Sequence, residues 1–287
     1  VNPCIKAAMK ASPHTFDSLI SDKLTADMIP NFIYGSYTGL AVTVFGLVPT
    51  ITAMFGKSIL PSLAESCAKN DKKAMQSGLT KMLIVTSIIA IPAGMGIAVL
   101  SEPILRFLFG GRETEIQVCI MPLSILGIAV IFLAIATPCF SILQTLGKPH
   151  KAIIIMLAGG IIKLFLNIIL IRQPIINISG AAISTLVSEV FICVLSVRSV
   201  CKMTDLKPKV SEIFVKPTYA AIMCSVTAVL SHETLTKIAH LQINHRFVTL
   251  FSIGIGSTMY FFCLYLLCET PKNIVNYIFS KKNPQNP

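Results

Sequence analysis

The chain has 287 residues, 54% hydrophobic and 13% charged, with a mean hydropathy of +0.76. A soluble domain carries about a quarter charged residues, and here the apolar excess is gathered into long blocks, which points to membrane insertion rather than a soluble core. The formal charge of +11 comes from basic residues that flank the apolar blocks instead of forming one stripe, which argues against a nucleic-acid partner.

Residues 1–32 are mixed in character, and Ser12-Pro13 with 17–24 reads as a short amphipathic helix or the end of a missing span. Val1 stands where an initiator Met is expected and no signal-peptide pattern follows, as in a piece of a longer protein. Seven membrane spans are expected at about 33–54, 78–100, 118–145, 151–171, 178–198, 214–231 and 247–268. Lys57, Lys69, Lys72, Lys73, Lys81, Lys148, Lys151, Arg198, Lys202, Lys207, Lys209, Lys216, Lys272, Lys281 and Lys282 fall on one side. Arg106, Arg112, Arg172, Lys237 and Arg246 fall on the other. By the positive-inside rule the first side and the C-terminus are cytoplasmic. Lys6, Lys10 and Lys23 of the leading segment run against that assignment.

Pro49, Pro92, Pro122 and Pro138 interrupt spans, with Gly46, Gly94, Gly96 and Gly127 nearby. Kinks of this kind are tolerated where neighbouring groups satisfy the freed backbone. Gly35 and Gly39 form a GxxxG, which reads as close helix packing. With no Trp in the chain, an interfacial belt rests on Tyr34, Tyr37, Tyr219, Tyr260, Tyr265 and Tyr277. The nine cysteines show no CxxC pair or metal spacing and behave as small hydrophobes.

The stretch 142–185 carries the unusual chemistry. A basic turn (Gly147, Lys148, Pro149, His150, Lys151) leads into an apolar run, and a second turn at 172–177 leads into another. Lys163 lies inside the first run, where an ammonium costs about 2.5–3.5 kcal/mol unless it finds a partner or water. Away from span ends, the only other charge within a run is Glu189, on the next helix. The two depths differ by roughly 4.5 Å along an antiparallel hairpin, so the expectation is an ion pair or a shared water-filled cavity. A pair that merely locks the hairpin fits the same spacing. Asn167, Ser184, Thr185 and Ser188 extend the polar strip, for which interhelical hydrogen bonding is the simpler account.

His232, His240 and His245 fall in one outer loop, but their spacing suits no standard zinc site. No GxSxG, phosphate loop or HExxH is in register with a plausible fold, and a lone intramembrane acid argues against paired-carboxylate chemistry. The expectation is therefore a non-enzyme with no catalytic residue, metal or cofactor.

Several segments together resemble a known family. YGSYTGLAVTVFGLVPT and GKSILPSLAES are similar to the eighth span and following loop of the stage V sporulation protein B–like polysaccharide transporters. IPAGMGIAVLSEPILRFLFG, ILQTLGKPHKA, GGIIKLFLNIILI and ISGAAIST resemble that family's later motifs, in the same order, so that the resemblance runs from about Asp17 to Val200. These transporters belong to the multidrug/oligosaccharidyl-lipid/polysaccharide exporter superfamily, which includes the lipid II flippases. The resemblance implies an all-α polytopic bundle, the second lobe of such a flippase plus two C-terminal helices. It divides the chain into a partial N-terminal segment (1–32), a second-lobe bundle (33–200) and two further helices with a cytoplasmic tail (201–287). The first lobe would come from the same or another chain.

It further implies alternating-access flipping of an undecaprenyl-linked oligosaccharide or peptidoglycan precursor in the bacterial cytoplasmic membrane. The partners would be the lipid-linked sugar pyrophosphate and membrane lipids. Lys163 and Asn167 fall on the family's K-x-x-x-N pattern, and Gln144 and Gly147 on its Q-x-x-G pattern. Glu189 matches no family motif and rests on its depth alone. Lipid II flippases proper carry Arg and Glu where Val44 and Leu47 stand here, which favours the sporulation-protein branch. The substrate-cavity candidates are therefore Lys163, Asn167, Glu189 and Gln144. Two alternatives remain: a cation-coupled small-molecule exporter of the same superfamily, and a non-transporting scaffold for envelope biosynthesis.

Overall fold

The computed structural model describes residues 1–11, 25, 27–69, 71–174, 176–205, 214–239 and 245–267. All regular structure among them is helical, as expected where the backbone must satisfy its own polar groups in hydrocarbon. A short helix α1 (Asn2–Ala11) buries Ile5 and Ala8 against the bundle. The first span comprises α2 (Ile29–Ser36), a π-helical turn at Tyr37–Ala41 and the first half of α3 (Val42–Ala68). Then come α4 (Lys72–Val99), a short α5 (Ser101–Phe109) and the long α6 (Glu113–Thr145). The hairpin α7 (Pro149–Leu170) and α8 (Ser179–Thr204) precedes a final pair, α9 (Lys216–Ala239) and α10 (His245–Leu267).

Local chemistry sets the boundaries. The Asp71 carboxylate accepts from the Ala74 N–H at 3.0 Å and caps α4. Gly147, at φ +71°, makes the turn after α6, and Pro149 opens α7 where its missing N–H costs nothing. The expected segment 17–24 lies outside the described residues.

Six of the described helical stretches are long and apolar enough to cross a membrane. The remaining expected span, 214–231, forms α9, a helix of 24 residues that falls short of that standard because Ser231, His232, Glu233 and Lys237 occupy its last turns.

The centre of the bundle is α6, packed by α3, α4 and α8. Two glycines bring α4 and α6 into backbone contact: a Cβ on Gly127 would lie 2.5 Å from the Ala98 nitrogen, and one on Gly94 would lie 2.6 Å from the Gly127 carbonyl. Ser124 Oγ donates to the Ala98 carbonyl at 2.7 Å beside this crossing. At the opposite end, Gln76 Nε2 donates to the Thr204 carbonyl at 3.1 Å and ties the start of α4 to the end of α8. The GxxxG expectation fails: a Cβ on Gly35 or Gly39 would meet nothing within 4 Å. The reason is positional, since that helix turns its buried residues Ile33, Tyr37 and Leu40 inward and leaves the glycines off the contact.

The tyrosines also divide. Tyr34, Tyr219 and Tyr265 are exposed and fit an interfacial belt, and Tyr277 lies outside the described residues. Tyr37 and Tyr260 are 7% and 3% exposed, so each acts inside the bundle. The four span prolines sit within continuous helices.

Candidate functional site

The α7–α8 hairpin is antiparallel, as the short turn requires, and its register is fixed by two hydroxyls. Ser188 Oγ donates to the Gly159 carbonyl at 2.9 Å, and Ser184 Oγ donates to Asn167 Oδ1 at 2.5 Å. Gly159 admits this approach because a Cβ there would run into Ile192. Lys163 lies midway between Gly159 and Asn167 on the same side of α7, level with α8 between Ser184 and Ser188. Thr185 Oγ1 donates back to the Ala181 carbonyl at 2.8 Å, and the Tyr37 side chain lies close to Thr185. The π-helical turn thus adds a third helix to the polar strip. Turns of this type are enriched at functional sites, and nothing in the residue pattern at 37–41 announces one.

Lys163 and Glu189 lie near enough to interact electrostatically, yet no ion pair within 4.0 Å joins them. The expected pair is corrected by helix geometry. Ser188 faces α7, and the next residue points about 100° away around the helix. Cys193, one turn beyond Glu189, packs in a cluster with Cys139 of α6, so Glu189 lies on the α6 side. It is 9% exposed, and its Oε2 has no hydrogen-bond partner among the described residues.

Lys163 is half-buried and stands at the border of the packed and open faces of α7. Met156, Gly160, Lys163 and Asn167 follow one another at helical spacing along that border. A Cβ on Gly160 would meet nothing within 4 Å, so there is open space beside the lysine. Beyond the border, Ile161, Leu164 and Phe165 are exposed. Gln144 is not part of this strip. It is exposed in the last turn of α6, with Lys163 roughly 20 Å farther along α7.

A cleft of about 970 Å³ opens at the end where α4 stops and α6 begins, lined by Val99, Glu102, Arg106, Phe107, Glu113, Met121, His232, Glu233 and Thr249, among others. Arg106 Nε donates to Glu102 at 2.9 Å and Nη1 to Glu113 at 2.5 Å. The Glu102 hydrogen bond, with Glu113 adding to it, raises the guanidinium pKa above its ordinary value. By sequence Arg106 reads only as a loop charge; the Glu102-Arg106 spacing of four on a helix is the signal that points to the pair. His232 lies in α9 rather than in a loop, and His240 lies outside the described residues.

The helices and the intramembrane polar strip define a multi-pass helical membrane protein. A family model described as lipid II flippase MurJ matches residues 28–251, and the chain belongs to that family. It is 26% identical to the lipid II flippase MurJ of Bacillus subtilis over 136 residues, 47% of this chain and 25% of that protein. It is 27% identical to the probable low-salt glycan biosynthesis flippase Agl15 of Haloferax volcanii over 186 residues, 63% of this chain and 38% of the other. Stage V sporulation protein B of Bacillus subtilis is 22% identical over 184 residues, 62% and 34% of the two chains. A solved structure titled lipid II flippase MurJ, inward closed conformation, aligns with a TM-score of 0.61 at 17% identity. That alignment covers 83% of this chain and 47% of the other. The match spans less than half the length of each of these relatives.

Proposed function

We propose that this chain is the second lobe of an alternating-access flippase, followed by two further helices, and that it moves a lipid-linked oligosaccharide or peptidoglycan precursor between leaflets. The observation that carries the reading is Lys163. A half-buried ammonium with no ion pair among the described residues, bordering open space on an intramembrane helix, needs water or an anion beside it. The pyrophosphate of an undecaprenyl-linked sugar has the complementary charge, while its lipid tail stays in the bilayer. Asn167 and Ser184 offer hydrogen-bonding groups to sugars a turn away, and Glu189, turned toward α6, is the buried acid beside that strip. Gln144 meets the substrate, on this reading, only at the far end of α6.

Residues 33–200 form the lobe, 201–287 the appended helices and tail, and 1–32 the end of a preceding segment. The first lobe is supplied by the same or another chain. The membrane is the bacterial cytoplasmic membrane, the C-terminus is cytoplasmic by the charge bias, and the protein transports without catalysing bond changes.

The test is flipping of a fluorescent lipid-linked precursor in proteoliposomes that hold this lobe joined to a first lobe. Lys163→Ala lowers the rate at least tenfold, a loss of about 1.4 kcal/mol in transition-state stabilisation, and Lys163→Arg keeps most of it. Unchanged flipping in Lys163→Ala removes the lysine from the mechanism. Drug efflux without any precursor movement replaces the reading with the exporter.

A further inference from the structure

Pro92 lies inside α4 and has no N–H, so the Ile88 carbonyl four residues earlier loses its helical donor. In hydrocarbon a carbonyl left unsatisfied is costly. Tyr260 of α10 supplies the missing bond: its phenolic O–H donates to the Ile88 oxygen at 2.8 Å, across 172 residues of sequence. The ring is buried with Ile91, Ala221, Cys224 and Leu264, so the bond is sheltered from water.

The proline segment is held from two sides. Two residues past the proline, Gly94 meets Gly127 of α6. On the other side, α10 is fastened to α9, since a Cβ on Gly256 would lie 2.8 Å from the Ala228 Cβ. Beyond Pro92, the last turn of α4 becomes a wall of the 970 Å³ cleft through Ala98, Val99 and Leu100. The facing wall is α9 and α10, through Val229, His232 and Thr249. One phenol therefore ties the Pro92 segment of α4 to the helix pair that closes the other side of the cleft.

We infer that Tyr260 is a positioning residue: by satisfying the carbonyl freed by Pro92, it sets the bend of α4 and with it the width of the cleft between α4–α5 and α9–α10. The α9–α10 pair then moves with α4 as one body instead of floating as an appendage. None of this depends on the identity of the transported molecule.

The test places a cysteine at the cleft wall (Val99→Cys) in the full chain in nanodiscs. The rate of maleimide labelling of the peptide carrying position 99 is followed by mass spectrometry, so the native cysteines do not interfere. Tyr260→Phe, which removes only the hydroxyl, changes that rate several-fold. In a Pro92→Ala background the restored backbone N–H gives Ile88 its helical donor, the phenol is no longer needed, and Tyr260→Phe changes nothing. No change from Tyr260→Phe while Pro92 is in place, or an equal change with and without Pro92→Ala, overturns the inference, because the hydroxyl would then have no tie to the carbonyl that Pro92 frees. Hydrogen exchange gives a second reading that does not need Pro92→Ala. Tyr260→Phe speeds exchange in the segment 84–96 and leaves α7 unaffected; a uniform rise across all helices, or none at 84–96, overturns it. Both readouts are blind to transport, so a failure here is separate from a failure of the flippase reading.

Discussion

Helices α6 and α7 are neighbours in the chain and both are strongly apolar, yet 50% of the apolar stretch of α6 is buried and only 11% of that of α7. The difference comes from side-chain size and placement rather than from hydropathy. Buried positions of α6 include Gly127, Ala129, Ala134, Ala136 and Cys139, which let α3, α4 and α8 close around it. On α7 the small residue Gly159 serves one neighbour, α8, while a Cβ on Gly160 would meet nothing within 4 Å and Ile161, Leu164 and Phe165 are exposed. Apolar character decides that a segment enters a membrane. Small residues and hydroxyls decide which segments pack, since lipid tails are as apolar as leucine.

Added volume where α6 is welded should disturb this contrast most. Gly127→Val drives branched methyls into the Ala98 backbone, a clash of about 3 kcal/mol or more. It should abolish the monodisperse peak of the detergent-solubilised chain in size-exclusion chromatography. A normal peak with an unchanged melting temperature would mean that the α4–α6 contact is looser than described.

Next in size is Glu189, whose buried Oε2 has no partner among the described residues. Glu189→Leu should raise thermal stability, because removing an unsatisfied buried group relieves roughly 1–3 kcal/mol, while flipping falls. Stability and activity moving in opposite directions marks a residue kept for function; a loss of both would make Glu189 a structural group. Smaller still is Ser188→Ala, which deletes the bond to Gly159 and should cost about 0.6 kcal/mol in a melting series. Phe165→Ala on the open face should stay within about 0.5 kcal/mol. If Phe165→Ala cost more than Ser188→Ala, the exposed side of α7 would have a protein neighbour that this lobe does not contain.

The sequence carried the helices, the hairpin and the lysine because apolar runs between basic turns leave few other solutions. Depth along a helix was also readable, since about 1.5 Å per residue fixes it, and that is why Asn167 and Ser184 meet. Rotation about the axis was not. Depth put Lys163 and Glu189 together, whereas the facing of Ser188 toward α7 turns Glu189 toward α6. Glycine spacing failed for the same reason: Gly35 and Gly39 matched the motif with no described helix opposite them, while Gly94 and Gly127, on different helices, form the real contact. Tyr37 and Tyr260 read as belt residues because a sequence cannot show that Tyr37 sits in a π-helical turn beside Thr185, or that a proline on another helix frees a carbonyl for the Tyr260 hydroxyl.

On the proposed mechanism, the border of α7 carrying Lys163 faces a water-filled path and the neighbouring face meets lipid. The direct measurement is labelling by a membrane-impermeant thiol reagent of single Gly160→Cys and Asn167→Cys variants, beside Ile161→Cys and Phe165→Cys, in sealed proteoliposomes. Labelling at 160 and 167, with 161 and 165 protected, is the predicted result. Equal protection at all four positions would put Lys163 against lipid or protein and rule out the water-filled path.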